Sequence, residues 1–500
     1  MRKSYILKTA FREYNPSLKR YTWRKKTPLK QARLDYFLIS DILLASIKNC
    51  KIESSYRSDH SMIVLEMQFN QFKTGKPLWK HNNALLQDID YLNAINRKIT
   101  EIKVQYALPV YNLDSINDIA DKDLQLTIND QLFLDTLLME IRGQSISYAS
   151  YKKKVNEKRE KELVDSISKL EQNLTPDNIE NLESLQEELL TLRKIKMQGY
   201  LVRSRANIIE NDEKPTKFFC NLETHNNTSK IIPRIEKEDG SFTTDQHEIL
   251  EETKLFYQKL YSSRDKNLND IDLEDEFKHL EIPKLNDMES HSLEGNLTLD
   301  EASHALKNMK NNRSPGSDGF GADFFKVFWG KLGNFVIRAI NYGYEHGELS
   351  TTQKEGIITC IPKEDKPRHI LKNYRPISLL NCVYKIASSA IANRIKTVLP
   401  KLIHGDQTGF LSGRYVGENT RQIYDILQFT EENNLPGLIL LIDFEKAFDS
   451  VSWNFITKVF RYFKFGKSFV SWISLFYKNA KLCINQGGIL STFFHIGMGC

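Results

Sequence analysis

The apolar positions change period along the chain, and the changes mark its organisation. Residues 34–40 (Leu-Asp-Tyr-Phe-Leu-Ile-Ser) and 62–67 are apolar-rich runs of strand length, separated by a polar stretch that ends in Ser58-Asp59-His60. Two strands cannot enclose a core, so residues 1–70 read as the edge of a domain. From about 75 to 295 the pattern is long, polar and helical. Residues 150–174 predict a charged helix with apolar positions at Leu163, Ile167, Leu170 and Leu174. Thr175-Pro176-Asp177 interrupts it with an N-cap and a proline suited to a first helical turn. Leu182, Leu185, Leu189 and Leu192 then recur at three- and four-residue steps, which predicts an antiparallel helical hairpin. Residues 255–261 read as helix, and the acidic run 270–281 as loop.

From Leu297 the character changes. Thr298-Leu299-Asp300-Glu301 predicts a capped helix ending near Lys310. Residues 357–361 predict a strand ending at Pro362-Lys363, Asn373 opens a second element, and 377–398 read as an amphipathic helix. A glycine-rich loop, 404–414, precedes another helix around 419–430. Residues 438–442 (Leu-Ile-Leu-Leu-Ile) then form an uninterrupted apolar run of the length of a fully buried strand, ending abruptly on Asp443.

Composition changes this picture little. The 500 residues suffice for two to four domains, and 40% apolar content is ordinary for globular chains. A net charge of +6 does not by itself establish a nucleic-acid partner. Its distribution says more: no Asp or Glu follows Asp449, while Lys458, Arg461, Lys464, Lys467, Lys478 and Lys481 recur. The six cysteines include no C-x-x-C pair, which argues against a zinc site or a disulfide scaffold. The first residues lack an apolar signal core, and no apolar run approaches the ~20 residues that span a bilayer. An intracellular location, cytoplasmic or nuclear, is expected.

Several residues could carry chemistry. An ionised carboxylate ending an apolar strand is costly unless paired or metal-bound, so Asp443 is a candidate metal ligand or simply a strand end. Asp59-His60 could serve phosphoester hydrolysis or sit in a turn. The lysine-rich stretch 152–161 is a nucleic-acid contact or a solvated helix face. In 203–219, basic residues alternate with Phe218-Phe219, which suits phosphates and stacked bases but equally a core. Ser314-Pro315-Gly316-Ser317-Asp318-Gly319 could cradle a phosphate or reverse the chain. Lys363 and Arg375 follow segments that would hold them rigidly enough to grip a triphosphate.

The order of these motifs carries a resemblance. Tyr21-Thr22-Trp23-Arg24, then 33–38 and 58–61, resemble the C-terminal edge of the apurinic-type endonuclease of non-LTR retrotransposon polyproteins. The segments 314–319, 361–363, 373–381, 406–414 and 442–451 resemble, in sequence, the reverse transcriptase of the same long interspersed elements. The resemblance implies an α+β chain in three parts: an endonuclease remnant of an α/β sandwich at 1–70, a mostly helical linker at 71–295, and the fingers with part of the palm of a right-hand polymerase at 296–500.

It also implies roles. Asp35, Asp59 and His60 match endonuclease site residues. Asp443 matches the first metal-binding aspartate, with the Phe444 carbonyl beside it, and Phe448 matches the gate that selects deoxynucleotides. Lys363 and Arg375 match triphosphate-holding finger residues. Ser314, Gly316, Asp318, Gly319, Gln407, Gly409, Phe410 and Arg414 match positions that pack on template, primer or nucleotide. The implied partners are an RNA template, a DNA primer and deoxynucleoside triphosphates, with Mg2+ as cofactor. Polymerisation commonly uses two Mg2+ about 3.5–4 Å apart, which one carboxylate cannot hold. The family's other two aspartates would follow Gly499-Cys500, and the upstream endonuclease acids would precede Met1, so this chain is expected to be inactive as it stands. Its palm is expected to leave the strand at Leu438 without a neighbour, with apolar surface open, and 469–476 and 493–496 partly uncovered.

Overall fold

The computed structural model of the chain describes residues 7–15, 18–25, 30–40, 47–53, 58–67, 75–113, 115–172, 175–204, 231–262, 272–364 and 366–499. The chain forms two compact units: Met1–Thr74 with Tyr148–Ser229, and Gly75–Ser147 with Lys230–Cys500. Apart from the backbone of Arg203 and Ser204, the basic and aromatic segment 203–219 lies outside the described residues.

The first unit contains more strand than the pattern predicts. Leu7–Thr9 pairs with Leu38–Ser40, Trp23–Lys25 with Lys30–Ala32, and Ile47–Glu53 with Met62–Met67, all antiparallel. Ala10, Phe11, Ile39, Cys50 and Ile52 are buried together, so these short strands do enclose a small core. The strand expected from residue 34 begins only at Leu38, because the amides of Leu34 and Asp35 donate to Thr22 Oγ1 instead of a ladder.

The helical hairpin forms between the end of Asp130–Gln172 and Ile179–Ser204. Leu163, Ile167, Leu182 and Leu189 are buried in its seam, with Leu170, Leu185 and Leu192 against them. Thr175 and Asn178 make a capping box with Pro176 in the first turn. Arg159 meets both oxygens of Glu188, at 2.7 and 2.8 Å, and Glu160 receives Arg193 and Lys196. In the lysine-rich stretch, Lys153 and Lys158 pair with Glu157 and Glu162 one turn on, as on a solvated face.

The second unit is built on a five-stranded sheet. Its elements are α1 (Gln246–Tyr261), α2 (Leu299–Asn308), α3 (Ala322–Glu345), β1 (Glu355–Pro362), β2 (Tyr374–Leu380), α4 (Cys382–Leu402), α5 (Val416–Glu432), α6 (Trp453–Tyr462), α7 (Lys467–Tyr477), β3 (Lys481–Gln486), β4 (Ile489–Leu490) and β5 (Phe494–His495). The order is β2-β1-β3-β4, with β5 also on β3; β1 and β3 run parallel and the other pairs antiparallel. One face packs Ile358, Cys360, Tyr374, Leu482, Ile484 and Phe494 against Tyr257 and Tyr261 of α1. Thr298 and Glu301 cap α2 reciprocally, as the sequence predicts.

Three expectations are corrected. Residues 377–380 are strand, not helix: Ile377↔Thr359 through Leu380↔Gly356 pair with β1, and a non-local partner overrides the local helical period. Residues 438–442 form neither a strand nor a buried element. They have no ladder partner among the described residues, and with neither face covered Leu438 is 92% exposed and Leu441 85%. Residues 469–476 are well covered rather than open: Phe469 and Trp472 are fully buried, and the Trp472 ring stacks on Tyr344 at 4.1 Å. Uncovered apolar surface lies on 438–448, as expected of a palm without its hairpin, and on α5, while Phe494 is buried and Phe493 exposed. Among the described residues no helix is long and apolar enough to cross a membrane.

Arg394 ties α4 to the chain before α2. Its guanidinium contacts both Glu301 oxygens, at 2.6 and 2.9 Å, and the carbonyls of Leu293, Gly295 and Asn296. Arg394→Leu strands that carboxylate and those carbonyls, so denaturant unfolding should show a loss of about 2–4 kcal/mol. Arg394→Lys should recover only part of it, because an ammonium cannot reproduce the bidentate fork.

Candidate nucleotide and template site

The 314–319 loop is held from below by one side chain. Asn381, buried at the junction of β2 and α4, accepts from the Asp318 amide at 3.2 Å through Oδ1, and its Nδ2 donates to the Ser317 hydroxyl and to the Thr352 carbonyl. Approach is so close that a Cβ on Gly316 would lie 2.1 Å from Asn381 Oδ1. Gly319 turns at φ +82°, and its amide donates to the Gly316 carbonyl. The Phe320 amide donates to the Asp318 carboxylate. Three successive amides, 318 to 320, are therefore already engaged, which favours the chain-reversal reading of this loop over a phosphate cradle. Ser314 lies at its half-buried start.

Lys363 and Arg375 flank the loop end of the β1–β2 hairpin, where Ile361 pairs with Arg375 and Pro362 with Tyr374. Tyr374 points into the core, so its neighbour Arg375 is exposed and has no polar partner among the described residues. Lys363 Nζ donates to the Lys372 carbonyl at 3.1 Å, which holds that side chain along the hairpin end. A free guanidinium beside a tethered ammonium is suited to an anionic ligand.

The 404–414 loop is organised by Arg414. Its guanidinium donates to the carbonyls of Ile403, His404, Gln407 and Pro400, closing the C-terminus of α4. Arg414 is thus engaged in structure. Gln407 Nε2 bridges to the Gly409 carbonyl. Phe410 takes a positive φ of +65° and is 95% exposed, and its ring meets Phe448 edge-on at 6.1 Å. Two predicted site residues 38 positions apart thus come together.

Asp443 and Phe444 are exposed, and no hydrogen bond or ion pair joins Asp443 to Lys363 or Arg375. Asp449 accepts from the Tyr261 hydroxyl at 3.0 Å and so anchors the turn to α1. Among the described residues no group of three or more His, Cys, Asp or Glu side chains is placed to hold a metal ion. A Mg2+ pair needs converging carboxylates, and Asp443 by itself does not fit one.

In the first unit, Asp35 and His60 do meet: His60 Nδ1 lies 2.8 Å from Asp35 Oδ2, and that hydrogen bond holds the Asp35 carboxyl below its usual range. Asp59 turns away to accept from the Trp23 indole at 2.9 Å. Sequence reasoning missed the central role of Asn381. An asparagine before an apolar helix signals an N-cap, yet this side chain makes no cap bond and serves the loop.

A family profile described as "Reverse transcriptase (RNA-dependent DNA polymerase)" matches residues 361–498. The chain is similar to the "Transposon TX1 uncharacterized 149 kDa protein" of Xenopus laevis, 28% identical over 99% of this chain and 36% of that protein. It is also similar to the "Probable RNA-directed DNA polymerase from transposon BS" of Drosophila melanogaster, 28% identical over 33% of this chain and 19% of that protein. The "Retrovirus-related Pol polyprotein from type-1 retrotransposable element R1" of Bradysia coprophila is 24% identical over 31% of this chain and 16% of that protein. The matched segment begins at the end of β1 and takes in β2, α4 to α7 and β3 to β5. The chain is thus similar to proteins of non-LTR retrotransposons and carries a segment that matches the reverse transcriptase profile, and it spans about a third of the length of the TX1 protein.

Burial pushes the Asp318 carboxyl up to about 6, against the opposing Phe320 amide and the Arg142 and Lys385 charges. A carboxyl raised on folding contributes stability below its unfolded pKa near 3.8, and that contribution is lost as pH rises through about 6. Asp318→Asn keeps the acceptor and removes the ionisation. Its stability relative to the parent should therefore climb between pH 4 and 6.5, by on the order of 2 kcal/mol, in paired urea melts.

Proposed function

We propose that this chain supplies the fingers and the start of the palm of a non-LTR reverse transcriptase, and that these 500 residues bind RNA–DNA duplex and deoxynucleoside triphosphate without copying. The observation that carries the reading is the β1–β2 hairpin: it presents an unpaired Arg375 and a tethered Lys363 at one end, inside the segment that matches the reverse transcriptase profile. In this reading Arg375 and Lys363 grip the triphosphate, Phe410 and Phe448 offer aromatic faces to a base or sugar, and Gln407 and Gly409 shape the loop that carries Phe410. Arg414 acts by fixing that loop's base. Mg2+ belongs to the family's chemistry, and Asp443 is the one residue here that matches its ligand set, so no metal-dependent step is assigned to these residues.

Binding without turnover is the reading for these residues because, among those described, no carboxylates converge with Asp443. Beyond Asp443 only Glu445 and Asp449 carry carboxylates, and Asp449 is engaged by Tyr261. Asp35 and His60, which share a hydrogen bond, and Asp59, which accepts from Trp23, read as part of an endonuclease-type site.

Fluorescent deoxynucleoside triphosphate should bind the purified chain, and Arg375→Ala should weaken it about tenfold, the effect of one lost charge-assisted hydrogen bond. Lys363→Ala should have a smaller effect. Primer extension on an RNA template in Mg2+ should be absent. Extension that disappears in Asp443→Asn would overturn the assignment of binding without turnover.

A further inference from the structure

The 314–319 loop is clamped from above by residues far outside the matched segment. Gly319 faces Trp79 so closely that a Cβ would sit 2.2 Å from the indole Cε3. The next residue in the same strap, Lys80, is exposed, and His81 donates its amide to the Gly319 carbonyl at 2.9 Å. Trp79 also packs edge-on against Phe320 at 5.3 Å. Over the indole lies the Arg142 guanidinium, 5.0 Å from the ring, and its Nη1 donates to the Ser317 carbonyl at 3.3 Å.

The strap is itself anchored at both ends. The Gly75 amide donates to the Gly487 carbonyl in the β3–β4 turn, with the backbones so close that a Cβ on Gly75 would fall 2.4 Å from the Gly488 oxygen. At the other end the His81 ring is buried, with Nε2 2.8 Å from the Tyr91 hydroxyl, which in turn meets Ser145 at 2.7 Å. Tyr91 and Ser145 are both buried, so this end cannot shift without opening a packed interior.

We infer that Trp79 and Arg142 are positioning residues, which press the 314–319 loop onto Asn381 and hold it in the register in which it meets nucleic acid. The loop needs such a clamp because its own sequence supplies little rigidity. Two glycines and two serines leave many backbone states open, and Asn381 restrains only one side. An indole capped by a guanidinium adds a flat, desolvated lid to the other side. The stretch 75–147 is therefore a working part of the polymerase unit, with residues set against a loop that lies more than 170 positions away in the chain. The nucleic-acid half of this inference rests on the proposed function; the clamp itself does not.

Hydrogen exchange on the full 500-residue chain tests the clamp. In Trp79→Ala the amides of Asp318, Gly319 and Phe320 should exchange at least tenfold faster, with the β1–β3 ladder unchanged. Arg142→Met should act in the same direction, and Trp79→Phe should restore most of the protection. Gly319→Ala should be less harmful in the Trp79→Ala background than in the parent, since the clash with the indole is gone while the strained φ remains. Should Trp79→Ala fail to fold, Arg142→Met and Trp79→Phe decide the matter alone. Unchanged exchange at 318–320 in every folded variant overturns the clamp.

Binding to an RNA–DNA duplex tests the second half. Both Trp79→Ala and Arg142→Met should weaken it several-fold while leaving triphosphate binding, read through Arg375, unaltered. Faster exchange with unaltered duplex affinity overturns the positioning role. A parent chain that binds no duplex overturns the proposed function instead, and the clamp then stands or falls on exchange.

Discussion

A buried side-chain amide is tolerable only when its donors and acceptors are met, and the second unit turns on one that is. Asn381 joins the end of β2, the start of α4, the 314–319 loop and the Thr352 carbonyl before β1. No other residue type offers an acceptor and two donors on so short a stem. An aspartate would repel the Thr352 carbonyl, and a leucine of similar size would leave the Asp318 amide and that carbonyl without partners. The absence of a Cβ at Gly316 follows from the same contact, because the loop can reach Asn381 only where the chain carries no side chain. Sheet, helix and loop therefore share one fixed point, and the β1–β2 hairpin hangs from it.

The parts of the fold that were legible in the sequence are those decided locally. The Thr298–Glu301 box, the Thr175 cap and the leucine seam of the hairpin all depend on residues within one or two turns of each other. Periodicity sees such features because the partners are spaced by the element itself. Residues 377–380 were misread as helix for the opposite reason: their strand exists only because β1, some twenty positions earlier, offers a ladder. The Trp79 and Gly319 contact was invisible to any local pattern. An isolated tryptophan in a polar stretch and a glycine in a turn have nothing in their neighbourhoods that points each to the other.

Candidate site residues fared according to whether their role was electrostatic or geometric. Arg375 and Lys363 were placed at a strand end by the pattern, and the hairpin register puts them there. Arg414, singled out for its charge, spends its donors on four carbonyls at the end of α4. A guanidinium is as good a helix C-cap as it is an anion grip, and sequence offers no means of telling the two apart. Asp35 and His60, 25 positions apart, are brought to 2.8 Å, a proximity that follows from the fold and not from local spacing.

The run at 438–442 separates what a sequence demands from what a structure provides. Five consecutive apolar residues ask to be buried on both faces, as in the interior of a sheet. Here they are exposed, and so is the apolar face of α5, where Tyr424, Ile426 and Phe429 are each more than half exposed. Contiguous apolar surface of this kind costs free energy in water and marks a place where further protein would be stabilising. The same exposure governs Asp443. A carboxylate at the end of an uncovered segment stays solvated, gains little from a neighbouring charge and binds a cation weakly, because water screens it. Covering the 438–442 run would change that at once: it would lower the local dielectric and fix the carboxylate on a rigid strand end. The burial of five hydrophobic side chains and the affinity of one acid for a cation are thus coupled.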